Sequence, residues 1–178
     1  SRGRPDYGLQ RDEVLEHLAA LSNGSDLPVN ADFENGFAHT ADAVGGNVGL
    51  CVDAGVAGLS IENTTGDKSK PLYEFDLSVD RIRASRAAID AKGGTTLLVA
   101  RCEGFLVGEA DLAMTTKRLV AYADAGADCL YAPVLRSIED IASVVKAVAP
   151  KPVNVLVSAP KFTAQQLADI GVRRVSLG

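Results

Sequence analysis

Apolar residues recur along this chain with two different periods, which divide it into alternating helices and strands. Val14, Leu15, Leu18 and Leu21 follow a helical spacing in 12–21, with Asp12 and Glu13 suited to a helix N-terminus and Asn23-Gly24 as the stop. Further helices are expected over 40–54, 79–92, 109–125, 137–149 and 163–170. Short, nearly continuous apolar runs at 27–33, 56–61, 95–100, 129–132, 153–157 and 172–177 predict strands between them. Gly45 and Gly46 weaken the second helix. Asn63 to Asp76 has neither period; it is rich in Thr, Lys, Gly and Pro, and a loop of that length marks a candidate mobile gate.

Asp53-Ala54-Gly55-Val56, Asp124-Ala125-Gly126-Ala127 and Asp169-Ile170-Gly171-Val172 repeat one turn, with Gly where a helix gives way to a strand. Strands apolar on both faces and separated by helices imply a parallel sheet covered by helices, either a closed barrel or an open doubly wound sheet. The Gly-rich fingerprint of a dinucleotide-binding open sheet is missing. Charged residues instead collect where strands end: Asp32 and Glu34 after the first, Glu62 after the second, Arg101 and Glu103 after the third. That is where chemistry gathers in a (β/α)₈ TIM barrel, although a structural salt-bridge belt would produce the same pattern. Six strands are two short of that barrel, so the missing pair is expected before Ser1. The 178 residues then form one barrel domain, incomplete at its N-terminus and without C-terminal helices.

Composition narrows the class. Apolar residues make up 47% of the chain, enough for one sizeable core, yet no run reaches the length of a membrane helix and no signal peptide is visible. A soluble cytoplasmic protein without a membrane partner is expected. A net charge of -5 and the lack of a Lys/Arg stripe argue against nucleic acid as a partner. The ligand expected instead is small and anionic. Cys51, Cys102 and Cys129 are odd in number and set in apolar stretches, so buried free thiols are the default reading.

The chemistry centres on Leu27 to Phe37. Strand alternation would put Asn30, Asp32 and Glu34 on one face, and carboxylates sharing a face raise each other's pKa unless a cation lies between them. A hard metal such as Mg²⁺ suits them; a pair of solvated acids at a strand end is the plain alternative. His17 and His39 show no partner in the sequence, and Tyr73 and Tyr131 read first as packing residues.

With these segments assembled, the chain resembles the isocitrate lyase and phosphoenolpyruvate mutase superfamily. Asp32-Phe33-Glu34-Asn35-Gly36-Phe37 is similar to the metal-binding strand end, Gly55 to Asn63 to the following strand, and Leu98 to Glu103 to the strand bearing a substrate-binding arginine. The resemblance implies a (β/α)₈ barrel, a homo-oligomer (dimer or tetramer), and a site for Mg²⁺, with Mn²⁺ as a substitute, and a small 2-oxo or 2-hydroxy acid. It implies Asp32, Glu34 and Glu62 as metal-holding residues, directly or through water. Arg101 would bind a substrate carboxylate with Asn63 and Glu103 beside it, and Arg101 and Asp6 would serve catalysis, Asp6 near the reacting carbon. Two departures stand out: 63–76 lacks the Cys and His of the lyases' gate motif, and Glu34 and Asn63 replace acids usual in the family.

The expected activity is a Mg²⁺-dependent lyase or decarboxylase cleaving a carbon–carbon bond of a small dicarboxylate through an enolate. Phosphorus–carbon chemistry, as a mutase or phosphonopyruvate hydrolase, is the alternative within the family. A non-catalytic barrel remnant is the alternative from another class.

Overall fold

The computed structural model describes residues 3–4, 7–159 and 161–178. Helices and strands alternate throughout: α1 (Arg11–Asn23), β1 (Asn30–Asp32), α2 (Ala41–Asp53), β2 (Gly58–Glu62), α3 (Phe75–Ala91), β3 (Leu97–Arg101), α4 (Leu112–Asp124), β4 (Cys129–Tyr131), α5 (Ile138–Val148), β5 (Val153–Val157), α6 (Ala164–Asp169) and β6 (Arg174–Leu177). All six strands are parallel and lie in sequence order in one sheet, so each βαβ unit adds a strand next to the last. The result is an open arc with the layering of a TIM barrel, helices outside and strands within. Among the described residues, no helix is long and apolar enough to cross a membrane.

Alternation along the strands separates two layers. Leu59, Ile61, Leu98, Ala100, Leu130 and Val155 face outward into the main core beneath the helices. On the inner face Val99, Cys129 and Tyr131 form a smaller cluster with Leu156. The three cysteines are free and buried.

Helices begin where capping side chains allow: Thr40, Asp111, Ser137 and Thr163 each accept a backbone N–H from the first turn. Gly45 and Gly46 do not break α2. A Cβ at Gly45 would sit 3.2 Å from the Ala84 carbonyl oxygen, so the bare backbone lets α2 and α3 approach closely and packing offsets the poor propensity. The repeated turn is present as expected, with Gly55, Gly126 and Gly171 at φ of 86°, 103° and 93°. At Gly126 the missing side chain also leaves room for Arg86, whose Cγ would lie 2.6 Å from an added Cβ as it runs to Asp128 and Asp90.

Candidate active site

Asp32, Glu62 and Arg101 are the last residues of β1, β2 and β3. Glu62 pairs in register with Arg101, which pairs with Tyr131, while Asp32 lies level with Ser60. The parallel arrangement thus carries groups 30 to 69 residues apart in sequence to one rim.

Arg101 is the hub. Its Nη1 donates to both oxygens of Asp32 at 3.0 and 2.9 Å, its Nε donates to Glu103 Oε1 at 2.7 Å, and Nη2 lies 3.4 Å from Glu62 Oε2. The Tyr131 ring lies 5.1 Å from the guanidinium carbon. Burial alone would lower the arginine's pKa, but Glu103, Asp32 and Glu62 together raise it and hold it charged.

The three acids differ in setting. Asp32 is 68% exposed and also accepts from Ser60 Oγ at 3.3 Å, Glu62 is 11% exposed, and Glu103 is fully buried. Burial pushes the Glu103 carboxyl up to about 7, against the pull of Arg101 and with a further push from Glu62. Its Oε2 has no hydrogen bond to the described residues. Asn63, 2% exposed, accepts the Glu103 N–H at 2.9 Å, and its Nδ2 lies 3.9 Å from Cys102 Sγ. Asn63 is therefore engaged in fixing the end of β3.

Glu34 corrects the alternation drawn from sequence. β1 stops at Asp32, and 34–37 is a turn with Glu34, Gly36 and Phe37 at φ of 47°, 73° and 54°. Glu34 is joined to the cluster another way: its Oε1 accepts the Tyr7 N–H at 2.9 Å, and the Tyr7 hydroxyl donates to Glu62 Oε1 and meets Thr64 Oγ1. Burial and the Glu62 charge hold the Tyr7 phenol above its ordinary pKa. Asp32, Arg101, Glu62, Tyr7 and Glu34 thus form one connected set. Asp6 lies outside the described residues.

The expected gate is two residues shorter, because α3 begins at Phe75, and it is a paired hairpin. Thr64 bridges Leu72, Thr65 N–H reaches Pro71 O at 2.9 Å, and Tyr73 N–H reaches Asn63 O at 2.9 Å. Tyr73 is 6% exposed, and its hydroxyl meets His39 Nδ1 at 2.7 Å, a partner the sequence did not reveal. Tyr7, Ser60 and Thr64 were missed too. Ser60 was the one within reach, since it stands two residues before Glu62 and so shares its face.

Would a divalent cation suit this rim? Asp32 and Glu62 meet one guanidinium and Glu34 joins them through Tyr7, which leaves excess negative charge even with Glu103 protonated, and all three offer hard oxygens of the kind Mg²⁺ prefers. In donor chemistry the residues fit. Among the described residues, however, no three His, Cys, Asp or Glu side chains are gathered as a ligand set; Asp32 and Glu62 engage Arg101, and Glu34 accepts the Tyr7 N–H.

Six parallel β/α units with a charged cluster at the C-terminal strand ends define a TIM-barrel-type α/β protein whose rim holds the candidate chemistry. Comparison with known proteins carries this further. A profile of the phosphoenolpyruvate phosphomutase family matches residues 1–178, and the chain belongs to this family, within the isocitrate lyase and phosphoenolpyruvate mutase superfamily. A solved candidate lyase/mutase of Burkholderia cenocepacia J2315 superposes with a TM-score of 0.94 at 44% identity, covering 99% of this chain and 64% of that one. 2-Methylisocitrate lyase of Escherichia coli K12 is 34% identical over 139 residues, 74% of this chain and 45% of its own length. Oxaloacetate decarboxylase of Bradyrhizobium diazoefficiens is 27% identical over 185 residues, 96% of this chain and 61% of its own length. The chain spans 45 to 65% of the curated relatives it matches. Its kinship is with lyases and mutases acting on small carboxylates.

Proposed function

We propose that the chain serves a lyase or decarboxylase that cleaves a carbon–carbon bond of a small 2-oxo or 2-hydroxy dicarboxylate. The observation carrying this reading is Arg101, a charged guanidinium set among Asp32, Glu62 and Glu103 at the strand ends. A planar guanidinium is matched to a carboxylate in a way a lysine is not. Glu103 holds Nε and fixes the plane, and Asp32 occupies the exposed edge at Nη1, where an incoming carboxylate would compete for the same donor.

Asp32, Glu34 and Glu62 are the residues that would hold Mg²⁺ or Mn²⁺. When bound, that cation would supply charge stabilisation to the oxygen on which negative charge develops as the bond breaks. Tyr7 and Thr64 orient the Glu62 carboxylate, and the Tyr7 N–H orients Glu34.

The phosphomutase profile favours a second reading, phosphorus–carbon chemistry at the same rim. A turnover screen with Mg²⁺ or with chelator decides between them, using oxaloacetate, methylisocitrate, dimethylmalate and phosphonopyruvate, with pyruvate and phosphate release as readouts. Mg²⁺-dependent pyruvate from a carbon acid is expected, and Asp32→Ala should abolish it with little change in stability, because exposed pairs contribute about 0–1 kcal/mol. Turnover of phosphonopyruvate alone would move the assignment to the second reading. No turnover of any substrate, or full activity in Asp32→Ala, would remove the first.

A further inference from the structure

Arg81 on α3 is 1% exposed, and among the described residues no carboxylate lies within ion-pair distance of it. A buried guanidinium without a counter-charge carries a large desolvation penalty unless other groups replace its water. Here main-chain carbonyls do so: Nη2 donates to Asn35 O, and Nη1 to Ala38 O at 2.6 Å and His39 O at 2.8 Å. The guanidinium carbon lies 4.0 Å from the centre of the Tyr73 ring, where ring and cation attract.

These contacts join two segments flanking the rim. One is the turn after β1, where Glu34 and Phe37 adopt left-handed backbone conformations that only a tightly determined environment sustains. The other is the 63–73 hairpin, through Tyr73. The His39–Tyr73 hydrogen bond closes the circuit, since His39 gives its carbonyl to Arg81 and its ring to Tyr73.

We infer that Arg81 is a positioning residue: one guanidinium sets the turn that presents Glu34 and ties it to the hairpin, so that both sides of the rim are placed together. This rests on the proposed function only in taking Glu34 as part of the cation-binding set. Lysine cannot substitute, because an ammonium lacks the planar fork that reaches several carbonyls while lying on a ring.

Arg81→Lys, Arg81→Met and Tyr73→Phe test the claim by hydrogen–deuterium exchange and by Mn²⁺ titration with oxalate present, followed by electron paramagnetic resonance. In both Arg81 variants 34–39 and 63–73 should exchange about tenfold faster while Leu97–Arg101 keeps its protection. Mn²⁺ affinity should fall about tenfold, as on losing a residue that orients a metal ligand. Tyr73→Phe retains the ring on Arg81 and should leave 34–39 protected. Parental exchange in either segment of Arg81→Lys, lost protection of Leu97–Arg101 in both Arg81 variants, or faster exchange with unchanged Mn²⁺ affinity would overturn the inference. If the parent binds no Mn²⁺, the cation reading of the proposed function fails, and the exchange results alone decide the role of Arg81.

Discussion

Replacing Glu103 with glutamine should remove a pH dependence that this carboxyl imposes on stability. Burial raises its pKa from an ordinary 4.5 to about 7 in the folded chain, with Arg101 pulling the other way and Glu62 adding to the rise. Between those values the native state retains a proton that the unfolded chain has released, so stability falls as pH rises. Each pH unit is worth about 1.4 kcal/mol, and the whole interval about 3 kcal/mol. For a chain of this size that is roughly 6–12 °C in melting temperature. Glutamine keeps the shape and an oxygen to accept from Arg101 Nε, but it does not titrate. Melting followed by circular dichroism at pH 5, 6, 7 and 8 should therefore show Glu103→Gln gaining on the parent by that amount toward high pH. Parallel curves for the two proteins would refute the assignment of a proton to this buried acid.

Two further substitutions probe the frame. Arg101→Lys removes the fork and leaves the buried Glu103 poorly paired, so denaturant unfolding should show a loss of about 3–5 kcal/mol; a loss under about 1 kcal/mol would mean that the cluster does not depend on the arginine. Gly126→Ala places a Cβ 2.6 Å from Arg86 Cγ at a φ of 103°, and about 2 kcal/mol of destabilisation is expected from the backbone strain and the displaced side chain. Urea titration checks it, and an alanine variant as stable as the parent would show that Arg86 moves freely.

Much of the fold could be read in advance because its signals are local. Apolar periods, the acids at the start of the first helix and the repeated Gly turn lie within one element or at its edge, and the six predicted strands are those observed. Asp32, Glu62 and Arg101 were legible for the same reason, since in a parallel sheet the last residue of each strand arrives at one rim whatever the distance between strands in sequence. The misses arise where backbone conformation or distant partners decide. Strand alternation cannot extend past Asp32 once Glu34 turns left-handed, so the face assigned to Glu34 had no basis in the period. His39 seemed isolated because its partner stands 34 residues away at the foot of the hairpin. Arg81 reads as a polar position in a helix, and only the packed structure shows it inward, bound to carbonyls that no sequence pattern marks.

The unequal exposure of the three acids around Arg101 gives the cluster a direction. Glu103 is buried and fastened to Nε, Glu62 is nearly buried and braced by Tyr7 and Thr64, and only Asp32 has most of its surface in water. A carboxylate entering from solvent therefore meets the guanidinium at the edge held by Asp32 and must compete with it there, while the other two acids keep the plane fixed. Asp32 released from Arg101 is an uncompensated acid at the strand end, and its demand for a new positive partner is greatest when the anion has taken its place. On the proposed function, the same electrostatics would favour a cation and an anionic substrate binding together over either binding alone, with the arginine holding Asp32 until they arrive.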